Sequence, residues 1–74
     1  MVFELPDRAT VSLRIYDVSG RVVARLAEGT LEPGRHAASW SGTDWAGHAL
    51  RSGIYFARLH VGREAWTSKL LLMR

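Results

Sequence analysis

Seventy-four residues of 8.3 kDa carry no cysteine, 47% hydrophobic and 23% charged side chains, and a formal charge of +3. That describes one small globular domain and excludes a disulfide framework, a Cys-ligated zinc site and an intrinsically disordered chain. The longest apolar runs, 54–57 and 70–73, are four residues each, which excludes a membrane-inserted helix of about 20, and the nine Arg among the ten bases are scattered between acids from Arg8 to Arg74, which does not predict a nucleic-acid footprint. In chain order, residues 2–5 read as a short strand stopped by Pro6, a position that tolerates proline. Residues 10–18 alternate, with Val11, Leu13 and Ile15 on one face and Ser12, Arg14 and Tyr16 on the other, the mark of a half-buried antiparallel strand. Ser19-Gly20 makes a tight turn into a second strand over 21–27, with Val22, Ala24 and Leu26 on one face, and the pair reads as a hairpin. Residues 28–34, with Gly29, Pro33 and Gly34, read as a connection. A short strand over 35–40 ends in Trp40, which shares a face with Ala38 and is expected to be the main core anchor. Residues 41–53 are irregular, rich in Gly42, Gly47, Gly53, Ser41, Asp44 and Ser52. Residues 53–61 form the strongest strand, with Tyr55, Ala57, Leu59 and Val61 on one face and Ile54 and Phe56 on the other, which predicts a central strand covered on both sides. Gly62-Arg63-Glu64 turns the chain into a last strand over 65–73, with Leu70 and Leu72 inward. Six short strands with frequent turn signals predict an all-β antiparallel sandwich or small barrel.

The turn chemistry carries a resemblance. The chain reads Val-Ser-Leu-Arg-Ile-Tyr-Asp-Val-Ser-Gly-Arg-Val-Val-Ala-Arg-Leu at 11–26, Gly-Arg-His at 34–36, Trp-Ser-Gly-Thr-Asp-Trp-Ala-Gly at 40–47, Ser-Gly-Ile-Tyr-Phe-Ala-Arg-Leu at 52–59 and Lys-Leu-Leu-Leu-Met-Arg at 69–74. This resembles the immunoglobulin-like domain shared by flagellar hook-capping scaffolds and by the C-terminal sorting domains of type IX secretion cargo. The likeness spans Phe3 to Arg74 and marks Gly20, Gly34, Trp40, Gly42, Asp44, Gly47, Gly53 and Tyr55 as its structural motif. It implies an immunoglobulin-like β-sandwich filling 1–74, the C-terminal piece of a larger exported protein. Two departures stand out. Ser41 occupies the place after the tryptophan where the family usually has Asp, and the Asn-Pro-rich lead-in of the sorting domains is missing before Val2. Residues 1–8 also lack the basic start and apolar stretch of a secretory signal, which on this reading belongs to the far end of the parent chain.

Candidate chemistry is sparse. His36, His48 and His60 are evenly spaced without an accompanying carboxylate motif, and are expected to be exposed or rim histidines, not metal ligands. Asp44 alone cannot supply the six to eight or so oxygens of a calcium site and is expected to cap an Asx-type turn. Ser41 or Ser52 near His48 could suggest nucleophilic catalysis, but a working site needs a base held by an orienting acid and an oxyanion hole, and serines beside glycines in turns are expected for conformational reasons. No catalytic residue, metal or cofactor is therefore expected. Trp45 and Trp66 are either covers for the open ends of a small core or exposed interface anchors. The terminal strands have edges that can accept a partner strand.

The expected function is a non-enzymatic sorting or attachment domain of a secreted or cell-surface bacterial protein. Secretion or cell-surface apparatus proteins would read Trp66 and the segment Lys69, Leu70, Leu71, Leu72, Met73 and Arg74, with no nucleic acid and no membrane insertion. The alternative is a structural module of a hook-capping scaffold, and a third reading is a carbohydrate-binding module using Trp45 and Trp66.

Overall fold

The computed structural model describes residues 1–73. Six strands follow in order: β1 (Val2–Leu5), β2 (Ala9–Tyr16), β3 (Val22–Leu31), β4 (Gly34–Ala37), β5 (Gly53–Val61) and β6 (Glu64–Leu72). They form a four-stranded sheet in the order β3-β2-β5-β6 and a two-stranded sheet of β1 and β4, with every pairing antiparallel. The expected all-β, immunoglobulin-like sandwich is what the chain forms.

Alternation on β2 builds the core. Val11, Leu13 and Ile15 are all buried, Ile15 completely, and Leu13 and Ile15 together with Val23, Ala24, Tyr55 and Ala57 form the apolar centre between the sheets. Burial of this kind is the main driving force for so small a domain. Leu70 and Leu72 of β6 pack against that centre, as their inward parity predicts.

Four expectations need correction. Residues 28–31 are not a loop, because β3 continues to Leu31 and pairs there with Ala9. Ladder pairing along the full length of β2 outweighs the low strand preference of Gly29, so only Glu32 and Pro33 lie between β3 and β4. The β3 face does not follow simple alternation either. Register shifts between Leu13 and Arg14 and between Ile15 and Tyr16 leave Leu26 and Val23 as extra residues on β3, and such bulges change side-chain parity. Thus Ala24 and Ala27, not one regular Val22–Ala24–Leu26 stripe, stand opposite Ile15 and Leu13. Trp40 lies beyond the end of β4 and is only half-buried, packed at the edge of the core. Ile15 is the true anchor. Finally, β5 is interior to its sheet but covered on one face, since Ile54 is exposed and Phe56 half-buried.

Candidate functional site

Two loops share one construction. Asp17 and Asp44 each begin an Asp-x-x-Gly sequence followed by a basic residue, Arg21 or His48. In both, the glycine N–H donates to the aspartate carbonyl at 3.0 Å, and the aspartate N–H donates to the carbonyl of the basic residue at 3.0 Å. Each Oδ1 then accepts two further backbone N–H groups, from Ser19 and Arg21 in the first loop and from Ala46 and His48 in the second, at 2.9–3.0 Å. Gly20 and Gly47 have φ of 87° and 85°, the left-handed conformation that closes a type I turn with a bulge. The charged carboxylates are thereby favoured. Bonding from the Ser19 hydroxyl and the Arg21 N–H holds Asp17 below the usual carboxylate range, and the His48 and Ala46 N–H groups do the same for Asp44. The Asx-turn role expected for Asp44 is what its contacts show. Asp17 makes a second Asx turn of the same kind, and the repeated spacing is visible in the sequence.

The second loop is docked onto β3, where the Trp45 N–H donates to Val23 O at 3.2 Å. Its interior is tied by the Leu50 N–H to Gly42 O at 2.9 Å and by antiparallel pairing of Thr43 with Ala49. Trp40 donates from Nε1 to Thr43 O at 2.9 Å and meets the Tyr55 ring edge-on at 5.2 Å. The Tyr55 hydroxyl donates to Arg51 O at 2.8 Å, four residues upstream. A tyrosine at the start of a strand that bonds back to the preceding corner is a hallmark of immunoglobulin-like sandwiches. Gly34 and Gly53 open β4 and β5, opposite Leu5 and Leu72.

The residues expected to be read by a partner do not form one surface. Trp66 is 52% exposed, on the same side of β6 as Leu70 and Leu72, which are half-buried on the core. Lys69 and Leu71 point to the opposite side, paired with Phe56 and Ile54. Met73 is exposed, and Arg74 lies outside the described residues. Trp66 flanks a cleft between β1 and β6 of about 320 Å3, shared with Phe3, Leu59 and Glu64. The two-stranded sheet therefore leaves part of the inner face of β6 uncovered.

Trp45 is 62% exposed, with the Arg25 guanidinium 5.1 Å from its ring centroid. It does not cover the core. Since Trp45 lies against β3 and Trp66 is on β6, the two tryptophans stand at opposite edges of the sheet, three strand spacings or roughly 15 Å apart. They do not form one sugar-stacking platform. The histidines are also separated: His36 stacks on Phe3 at 5.6 Å with Nε2 2.7 Å from Glu32 O, His48 lies beside Asp44, and His60 is on β5. Among the described residues, no three His, Asp or Glu side chains come together to hold a metal.

A family model described as the FlgD Ig-like domain matches residues 1–63. The chain belongs to the FlgD Ig-like domain family. The match takes in β1 to β5, both Asp-x-x-Gly loops and the Tyr55 corner, so the motifs at 11–26, 34–36, 40–47 and 52–59 lie inside it, whereas the segment 69–74 lies outside it. It supports the hook-capping side of that resemblance. No curated protein and no solved structure matches the chain.

Proposed function

We propose that this FlgD Ig-like domain is a non-enzymatic structural module of a flagellar hook-capping scaffold, working outside the inner membrane as part of a longer exported chain and binding protein subunits. The family match over residues 1–63 carries the reading. The shape of the surface supports it. Trp66 stands exposed beside the cleft with Phe3 and Leu59, and exposed tryptophan is a strong interface anchor. Replacing the domain, in its natural gene, by an unrelated immunoglobulin-like fold tests the proposal. Stunted or missing hooks and lost swimming are expected, with the parent protein still made. Normal hooks and normal swimming overturn it.

The sorting reading rests on Leu71 and Met73, which stand exposed at the end of β6. The same replacement separates the two, because a sorting domain predicts intact hooks and a parent chain stranded in the periplasm.

A further inference from the structure

The outer face of the four-stranded sheet collects charge that looks scattered along the chain. Arg14 on β2 is directly paired with Arg25 on β3 and with Arg58 on β5, so three arginines form a row across three adjacent strands. Tyr16 and Phe56, paired with each other, lie beside the row, and Lys69 is paired with Phe56. Like charges directly opposite across strands oppose folding, so the row is no device for stability. Glu28 is the one carboxylate that a strand places on this face. It accepts from Arg14 Nε at 2.7 Å and lies 3.8 Å from Arg25 Nε. The Glu28 carboxyl is held below, and the Arg14 guanidinium above, its usual range by that contact. Among the described residues no carboxylate pairs with Arg58 at the other end of the row. Four cations and one carboxylate thus stand on this face, while the other described residues carry five cations and six carboxylates. Among the described residues the excess of positive charge therefore belongs to one sheet face.

We propose that this face docks an acidic polypeptide, whose carboxylates enter the row Arg25, Arg14 and Arg58 and whose apolar side chains rest on Tyr16 and Phe56. Glu28 shows the ligand chemistry, a carboxylate taken by two neighbouring guanidiniums, and the Arg58 end repeats the cations without the acid. Arg forks favour carboxylates and phosphates alike. Tyr16 and Phe56 are half-buried, which suits apolar side-chain contact better than base stacking on whole ring faces. Adjacent arginines of the row are one strand spacing, about 4.8 Å, apart at the backbone, the same step as residues on neighbouring strands of a partner. The inference rests on the reading of the domain as a protein-binding module and assigns the side that binds.

The test titrates the 74-residue chain with a synthetic peptide alternating Glu and Phe, with its Gln-for-Glu counterpart, and with a short oligo(dT). Binding of the acidic peptide that weakens as salt rises is expected, with little binding of the Gln peptide. Arg58→Glu should weaken it at least about tenfold. Arg63→Glu makes the same change of net charge in the β5–β6 turn and should leave it within about twofold. Arg58→Thr, which removes a like-charge neighbour, should melt no lower than the parent while binding more weakly, so loss of binding is not loss of fold. Equal weakening by Arg58→Glu and Arg63→Glu, or no binding of the acidic peptide, overturns the proposal. Tighter binding of oligo(dT), lost in Tyr16→Ala, overturns it in favour of nucleic acid. If hooks fail when the domain is replaced but Arg58→Glu leaves peptide binding unchanged, the face assignment falls and the scaffold reading stands; intact hooks with an Arg58-dependent peptide site give the reverse.

Discussion

Tyr55→Phe isolates the bond that closes the corner before β5. Tyr55 is only 8% exposed, and its ring meets Trp40 edge-on at 5.2 Å. Phenylalanine keeps the ring, its burial and that contact. What is lost is the hydroxyl donated to Arg51 O at 2.8 Å. A neutral hydrogen bond of this kind contributes about 1 kcal/mol net. Arg51 is exposed, so its carbonyl can turn to water, which keeps the loss near that value and short of the roughly 3 kcal/mol of an abandoned buried acceptor. For a domain of this size, 1 kcal/mol lowers Tm by about 4–8 °C. Thermal melts followed by near-ultraviolet circular dichroism, which reports the packed Trp40–Tyr55 pair, give the shift directly. Hydrogen exchange adds a local readout: the Leu50 amide, bonded to Gly42 O inside the loop, should exchange faster in the variant. A variant that melts within about one degree of the parent, with the Leu50 amide equally protected, refutes the idea that the tyrosine corner holds the loop over 41–53.

The remaining predictions concern the core and the twin loops. Ile15→Ala, at a fully buried site, should cost about 2–5 kcal/mol, comparable to the whole margin of roughly 3–5 kcal/mol available to so small a core; a cooperative urea transition near that of the parent would show that the centre lies elsewhere. Gly20→Ala and Gly47→Ala, at φ of 87° and 85°, should each cost about 1–2 kcal/mol in the same urea assay, because alanine must enter the left-handed region. Asp17 and Asp44 have folded pKa values below their unfolded ones, so the unfolded chain takes up protons first as pH falls. Their contribution is complete above about pH 4 and is lost as pH drops through the folded values. The double variant Asp17→Asn and Asp44→Asn should therefore be less stable at neutral pH and show a flatter acid limb in melts recorded against pH; an unchanged acid limb would mean that other carboxylates set it.

Much of the fold is legible in the residues, for stated reasons. Period-two alternation in Val11, Leu13 and Ile15 fixes the face of β2, since one-sided burial leaves no freedom in parity. The β2–β3 link is equally plain, because Asp, Ser and Gly each suit their places in its turn. What alternation misses is set by neighbours far along the chain. Residues 28–31 become strand through their pairing with Ala9–Ser12, and the two bulges on β3 exist only relative to β2. Trp40 misleads because size suggests a core anchor, while its indole N–H needs a polar partner and finds Thr43 O at the rim. The basic row fails to register for the same long-range reason: Arg14, Arg25 and Arg58 are far apart in sequence and become neighbours through two ladders. The twin loops are the opposite case, local enough to be read from Asp-x-x-Gly spacing alone.

These devices also share a place. The Asp17 loop follows Tyr16, the Asp44 loop is docked on Val23, and the Tyr55 corner precedes Phe56, which is paired with Tyr16. All three therefore lie at one end of the four-stranded sheet, next to Tyr16, Phe56 and Trp45. Each satisfies backbone donors or acceptors that a loop would otherwise leave to water, and each fixes backbone that a chain of this size could not hold by core burial alone. The aromatic end of the outer face is thus presented by pinned turns, while the Arg row beside it raises the free energy of the fold through like-charge neighbours. Rigid support next to a row that opposes folding is the arrangement expected where a surface is shaped for binding, since preorganised side chains lose less freedom when a partner arrives.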